Sequence, residues 1–166
     1  MNNPETVQQT PKASNALTFI VKTIASGLGT GYSPVASGTV GSLLAAVIWW
    51  YLPANLGLQL ALTAVTLFIS IPVSSAAEIL YGKKDDSRIV IDEVVGMWIA
   101  LLFFPLNIKY FAAAFFLFRL FDVIKPLGIK KIQAWRGGWG IVMDDVLAGI
   151  LANIVLRAAL YVGTFL

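Results

Sequence analysis

The sequence contains no cysteine and no histidine. That excludes a disulfide, a thiolate nucleophile and a phosphohistidine intermediate. It also excludes a structural zinc site of the usual ligand set, so any metal bound here is a hard cation held by oxygen, with magnesium the foremost candidate. Charge is scarce as well. Only 13% of the 166 residues are charged and 58% are hydrophobic, whereas soluble domains carry about 25% charge. With a mean hydropathy of +0.79, the chain is neither an ordinary soluble enzyme nor intrinsically disordered. The net charge of +3 and pI near 9.3 fit attraction to anionic lipid, because basic residues are too dispersed in a hydrophobic chain for a nucleic-acid surface.

What is present is long apolar sequence. Residues 23–77 carry no charge at all, too long a run for one buried helix and suited to two membrane crossings joined by a turn. Residues 1–14 are polar and contain Pro4 and Pro11; they read as a disordered leader. They lack the basic start, apolar core and small-residue cleavage site of a signal peptide. The remainder, 15–166, reads as a single membrane-embedded domain. Residues 15–25 place Leu17, Ile20, Val21 and Ile24 at helical spacing behind Asn15 as N-cap, in a helix too short to span and suited to the interface. Residues 26–42 form a loop rich in glycine and hydroxyl groups.

Apolar segments follow at 39–52, 56–80 with Pro72 as a kink, 89–104, 108–124 and 141–162. Pro53, the charged stretch 82–88, Pro105 and Lys125-Pro126 separate them. Residues 125–140 are basic and carry Trp135 and Trp139, as a headgroup-level segment does. The expected fold is all-α: a polytopic membrane helix bundle of about five apolar helices plus a short N-terminal interfacial helix. Lys12, Lys22, Lys83, Lys84, Arg88, Lys125, Lys130, Lys131 and Arg136 fall on one side of these segments, and Lys109 and Arg157 on the other. By the positive-inside rule the first side is cytoplasmic. Asp85, Asp86, Asp92, Glu93, Asp122, Asp144 and Asp145 lie on that same side.

Two related patterns carry the chemistry, Asp92-Glu93-Val94-Val95-Gly96 and Asp144-Asp145-Val146-Leu147-Ala148-Gly149. In each an acid precedes a glycine by four residues, so both lie on one helix face that a neighbouring helix can approach closely. Carboxylates gathered this way repel unless they share a cation; alternatively, acids in a first helical turn simply complement the macrodipole. Arg119, Asp122 and Lys125 are spaced by three. They either neutralise one another near the headgroups or clamp a phosphate, with Asp122 joining the metal site. The loop ending at Thr39 opens an apolar helix whose free N–H groups favour an anion, though it lacks the lysine of a nucleotide-binding P-loop. Lys130, Lys131 and Arg136 read as a lipid-surface anchor, and the five tryptophans as interface and packing residues.

The blocks GYSPVASGTVGS, IVIDEVVGMWIALLFFP, FRLFDVIKP and GGWGIVMDDVLAGI, in this order, make the chain resemble the phosphatidylglycerophosphatase A family from about Gly27 to Asn153. Where that family commonly has Pro-Gly-Thr, Ser37 precedes Gly38 and Thr39 here, and a histidine of some relatives is Lys84; neither change removes a carboxylate. The resemblance implies a multi-pass enzyme of the bacterial inner membrane, with its site facing the cytoplasm. Its phospholipid substrate would be phosphatidylglycerophosphate, dephosphorylated with magnesium to phosphatidylglycerol. It implicates Asp85, Asp92, Glu93, Asp122, Lys125, Asp144 and Asp145, with Ser37 to Ser42 as the hydroxyl and glycine loop. On the mechanism these groups suggest, Asp85, Asp92, Glu93, Asp144 and Asp145 would hold the metal, and Asp92, Glu93, Asp122, Asp144 and Asp145 would be catalytic. Ser37, Gly38, Thr39, Arg119 and Lys125 would bind substrate; no protein partner or nucleic acid is implied. A CDP-alcohol transferase is disfavoured by the lack of Asp-Gly-x-x-Ala-Arg, and the alternative outside enzymology is a small transporter or structural membrane protein that uses the acids for cations or protons.

Overall fold

The structure, a computed structural model, describes residues 14–126, 132 and 135–163. Of the leader expected at 1–14, residues 1–13 lie outside the described residues, as do the basic residues Lys130 and Lys131. Among the described residues there are six α-helices, a short 3-10 turn and no strand: α1 (Asn15–Ala25), the 3-10 turn (Thr30–Tyr32), α2 (Ser37–Tyr51), α3 (Leu56–Tyr81), α4 (Ile91–Leu101), α5 (Ile108–Ile124) and α6 (Gly138–Gly163). The all-α expectation holds. The boundaries of α3 and α5 follow from their caps: Asn55 and Asn107 accept backbone N–H groups at the starts, and Gly82 and Lys125 close the ends in the left-handed region. Helix α1 is capped one residue earlier than expected, by Ser14, whose hydroxyl accepts the Leu17 N–H at 3.3 Å.

Among the described residues, only α3 and α6, each of 26 residues, are long and apolar enough to cross a membrane. At 1.5 Å per residue each extends about 39 Å, beyond the roughly 30 Å hydrocarbon core. The third apolar segment differs most from its expected extent. Instead of running through 89–104, α4 has 11 residues and nearly all of them are buried. The residue before Pro105 is barred from helical backbone, and Phe103 already turns to a φ of 71°. The carbonyls thus freed are capped from α6, where the Asn153 amide donates to Ile99, Ala100 and Leu102 at 3.1, 3.1 and 2.9 Å.

Helix α4 is therefore the axis of the bundle, contacted by α2, α3, α5 and α6. Trp98 packs against Trp49 with ring centroids 5.8 Å apart and donates its indole N–H to the Ala45 carbonyl at 3.0 Å. Met97, Leu101, Phe118, Ala148 and Ala152 complete the core around them. The α4–α6 crossing has no room for side chains: a Cβ on Gly96 would lie 2.7 Å from the Asp145 carbonyl oxygen, and one on Gly149 would strike the Gly96 carbonyl. This is the close approach that the repeated acid-to-glycine spacing implies.

The connection from α3 to α4 is also fixed. Arg88 pairs with Asp86 through Nε at 2.7 Å and Nη2 at 3.0 Å, and its guanidinium lies 4.0 Å over the Tyr81 ring. The Val90 N–H donates to Ala25 at 2.8 Å, and the Ser37 hydroxyl to Ser87 at 2.6 Å. These bonds tie α1, α2 and the start of α4 to one loop.

Two outcomes follow from this packing. Gly149→Val should destabilise the protein by about 1–3 kcal/mol or more by forcing two backbones apart, whereas Gly163→Ala, whose added Cβ meets nothing within 4 Å, should not; thermal unfolding in detergent by circular dichroism measures both. Hydrogen bonds from Arg88 hold the Asp86 carboxyl below the usual aspartate range. The stabilisation from a depressed carboxyl is present above its unfolded value and is lost as pH falls through the folded one, so Arg88→Ala should reduce the acid dependence of unfolding below about pH 4.

Candidate metal and phosphate site

Asp92 and Glu93 occupy the first turn of α4, and Asp145 faces them from α6. One carboxylate oxygen from each lies within 4.8 Å of the other two. Asp92 Oδ1, Glu93 Oε2 and Asp145 Oδ2 are buried with no hydrogen-bond partner among the described residues. Buried like charges at this separation repel strongly and each loses its hydration. The neighbouring side-chain cations are already engaged: Arg119 pairs with Asp122 at 2.8 Å and Lys125 with Asp144 at 2.5 Å. Three unpartnered oxygens converging in a site without nitrogen or sulfur ligands fit a hard divalent cation.

The helix dipole accounts for part of this arrangement only. It favours Asp92 and Glu93, which stand in a first turn. Helix α6, however, begins at Gly138, three residues before the expected start at Ile141, and has no acid in its first turn. Asp144 and Asp145 therefore sit two turns inside a helix, beyond the reach of its terminal dipole. Their placement needs another partner, and for Asp144 that partner is visible. Lys125 holds one of its oxygens, and the Asp145 N–H donates to the other at 3.1 Å.

The opposite wall is built from α2 and α5. Arg119 Nη1 donates to the Ser42 hydroxyl at 3.4 Å, which in turn donates to the Gly38 carbonyl at 2.7 Å. Gly38 itself lies directly against Glu93 Oε1 and the Arg119 guanidinium, so that a Cβ there would collide with the Glu93 carboxylate. The first turn of α2, with Ser37, Gly38 and Thr39, thus opens beside the acids. Asp122 stands within electrostatic reach of Glu93 and Asp145.

Of the residues singled out from sequence, Asp92, Glu93 and Asp145 form the cluster, and Asp144, Lys125, Arg119, Asp122 and Gly38 surround it. Asp85 is set apart: it is exposed on the loop after α3, where its N–H donates to Glu78 Oε1 at 2.9 Å, and it influences the site through Asp144. The Ser37 hydroxyl turns away to Ser87. Two contacts were not legible beforehand. Nothing in the pattern pairs Ser42 with Arg119, 77 residues away, or assigns Asn153 to the end of α4; only the polarity of an asparagine within an apolar helix hinted at a task for it.

An all-helical protein with two helices able to cross a membrane, and a buried carboxylate cluster ringed by Lys125 and Arg119, has the parts of a membrane-embedded, metal-assisted enzyme acting on phosphate. Residues 23–160 match the phosphatidylglycerophosphatase A family, and the chain belongs to it. The chain is 44% identical over 153 residues, 87% of its length and 96% of the relative's, to a Bacteroides thetaiotaomicron protein with the provisional name phosphatidylinositol-3-phosphatase. It is 40% identical to phosphatidylglycerophosphatase A of Escherichia coli, covering 80% of this chain and 79% of that one. With the Haemophilus influenzae protein of the same name it shares 37%, covering 83% and 87%. No solved structure matches the chain.

The cluster should be a source of instability without a cation. In chelator, Asp92→Asn or Asp145→Asn is expected to raise stability by about 1–2 kcal/mol, because one buried unpartnered charge is removed. Millimolar magnesium should then stabilise the wild type more than either variant, as read by thermal unfolding with and without the ion.

Proposed function

We propose that this protein hydrolyses the terminal phosphomonoester of phosphatidylglycerophosphate, giving phosphatidylglycerol and inorganic phosphate. The observation that carries the reading is the set of three converging carboxylates, each with one buried, unpartnered oxygen, beside Arg119 and Lys125 in a chain of this family. Asp92, Glu93 and Asp145 would hold magnesium, with Asp144 or Asp85 as further candidates. When bound, that ion supplies positive charge that polarises the phosphomonoester. Arg119 and Lys125 neutralise the phosphoryl oxygens, aided by the N–H groups of Ser37, Gly38 and Thr39 at the start of α2. Asp122 or Asp144 orients the attacking water and accepts its proton. The water oxygen bonds to phosphorus in line with the breaking ester bond, and the proton passes to the departing alkoxide.

In this reading the protein is a multi-pass component of the bacterial inner membrane. Helices α3 and α6 span it, α2, α4 and α5 complete the apolar bundle between them, and α1 lies at the interface. The basic residues at the acid-bearing end put the site on the cytoplasmic side. A second substrate, phosphatidylinositol 3-phosphate, is favoured by the Bacteroides relative, whose match extends over 96% of its length. Both lipids present a phosphomonoester on a glycerophospholipid headgroup, so the same groups serve either.

Detergent-purified protein given each lipid, with magnesium or with chelator, tests the reading. Phosphate should be released from phosphatidylglycerophosphate in preference to phosphatidylinositol 3-phosphate, only with magnesium, and at least about 100-fold more slowly by Asp92→Asn and Asp145→Asn. The opposite preference would transfer the reading to the inositol lipid. Activity that survives both substitutions would overturn the site, and ion flux in liposomes without phosphate release from either lipid would establish the transport alternative.

A further inference from the structure

Helices α2 and α5 touch at two levels and leave a gap between them. At the site end Arg119 reaches Ser42. At the other end Trp50 meets Phe111 edge-on, with ring centroids 4.9 Å apart and an interplanar angle of 79°. Between these closures lies an open-sided groove of about 290 Å³ whose lining is almost wholly apolar. Leu43, Val47 and Trp50 form its α2 wall, one helical stripe spaced by four and three residues, and Phe111, Ala112 and Phe115 its α5 wall. From Leu43 to Trp50 the wall extends about 10 Å along the helix.

We propose that this groove holds one acyl chain of the lipid whose phosphate is bound at the carboxylate site. The proposal deepens the reading above and rests on it. Its basis is continuity. Leu43 directly follows Ser42, and Phe115 precedes Arg119 by one helical turn, so the Ser42–Arg119 pair beside the phosphate site lies next along both helices from the lining of the groove. A Cβ on Gly38 would meet both the Glu93 carboxylate and the Arg119 guanidinium, which places the acids and that arginine side by side at this end of the groove. A ligand bridging the two places must be anionic at one end and aliphatic at the other. A glycerophospholipid has that form, and a soluble phosphomonoester does not. Anchoring the chain adds binding energy from a part of the substrate remote from the reaction, equal in the ground and transition states, so the groove sets affinity and leaves the chemical step unchanged. Trp50 and Phe111 would mark how far along the chain the contact extends.

The test is photolabelling of the full protein in mixed micelles, with phosphatidylglycerophosphate carrying a mid-chain diazirine. Label should concentrate on residues 43–50 and 108–116 and be displaced by excess unlabelled substrate but not by excess phosphatidylcholine. Label spread over every apolar helix, or displaced equally by both lipids, would overturn the proposal, since the groove would then hold only bulk lipid. In parallel, Ala112→Phe, at an exposed position where a larger side chain can be carried without disturbing the core, should raise KM for the dioleoyl substrate about tenfold by excluding two or so methylenes. Its kcat should stay within about twofold. Val65→Phe, equally exposed but on α3, should behave as wild type. Equal KM values for the two variants would also overturn the groove, while a folded wild type that releases no phosphate would overturn the underlying reading instead.

Discussion

The structure turns on the crossing of α4 and α6 at Gly96 and Gly149, where each glycine lies against the other helix's backbone. Because α4 has only 11 residues and is buried nearly throughout, its position depends on what packs around it. The glycine contact lets α6 come close enough for Asp145 to face Asp92 and Glu93. One turn beyond, the Asn153 amide caps three α4 carbonyls. Backbone proximity and carboxylate proximity are thus one geometric fact, since acid and glycine are four residues apart on both helices.

Placing these carboxylates together is unfavourable for folding and useful for chemistry. Three unpartnered oxygens in a buried site cost stability that the apolar core around Trp98 and Phe118 must offset. Among the described residues the nearby cations relieve them only in part, because Arg119 and Lys125 are paired with Asp122 and Asp144. The site is consequently prepared in two layers. An inner group of acids, each with one unpartnered oxygen, stands inside an outer ring of acids matched to Arg119 and Lys125. The Asp86–Arg88 pair and the Ser37–Ser87 bond hold the surrounding loops in register with that ring.

Much of this was legible beforehand, and the misses have definite causes. The ends of α3 and α5 were readable because Asn55, Asn107, Gly82 and Lys125-Pro126 act within their own turns. The early end of α4 was not, because the groups that cap it come from Asn153, more than fifty residues later. The early start of α6 arises in the same way: Ser75 of α3 accepts the Gly138 N–H at 2.7 Å, a partner that local pattern does not reveal.

By itself, the sequence determined the apolar, all-helical character of the chain, the exclusion of thiol, imidazole and zinc chemistry, and the acid-to-glycine spacing that brings two helices together. These are consequences of residue type and of separations shorter than two helical turns, where geometry is local. Only the tertiary structure decided which acids converge, which are neutralised by lysine or arginine, and that a short α4 lies at the centre of the bundle. Those outcomes depend on long-range packing between α2, α4, α5 and α6, where a contact such as Arg119 with Ser42 exists because other helices hold both ends in place.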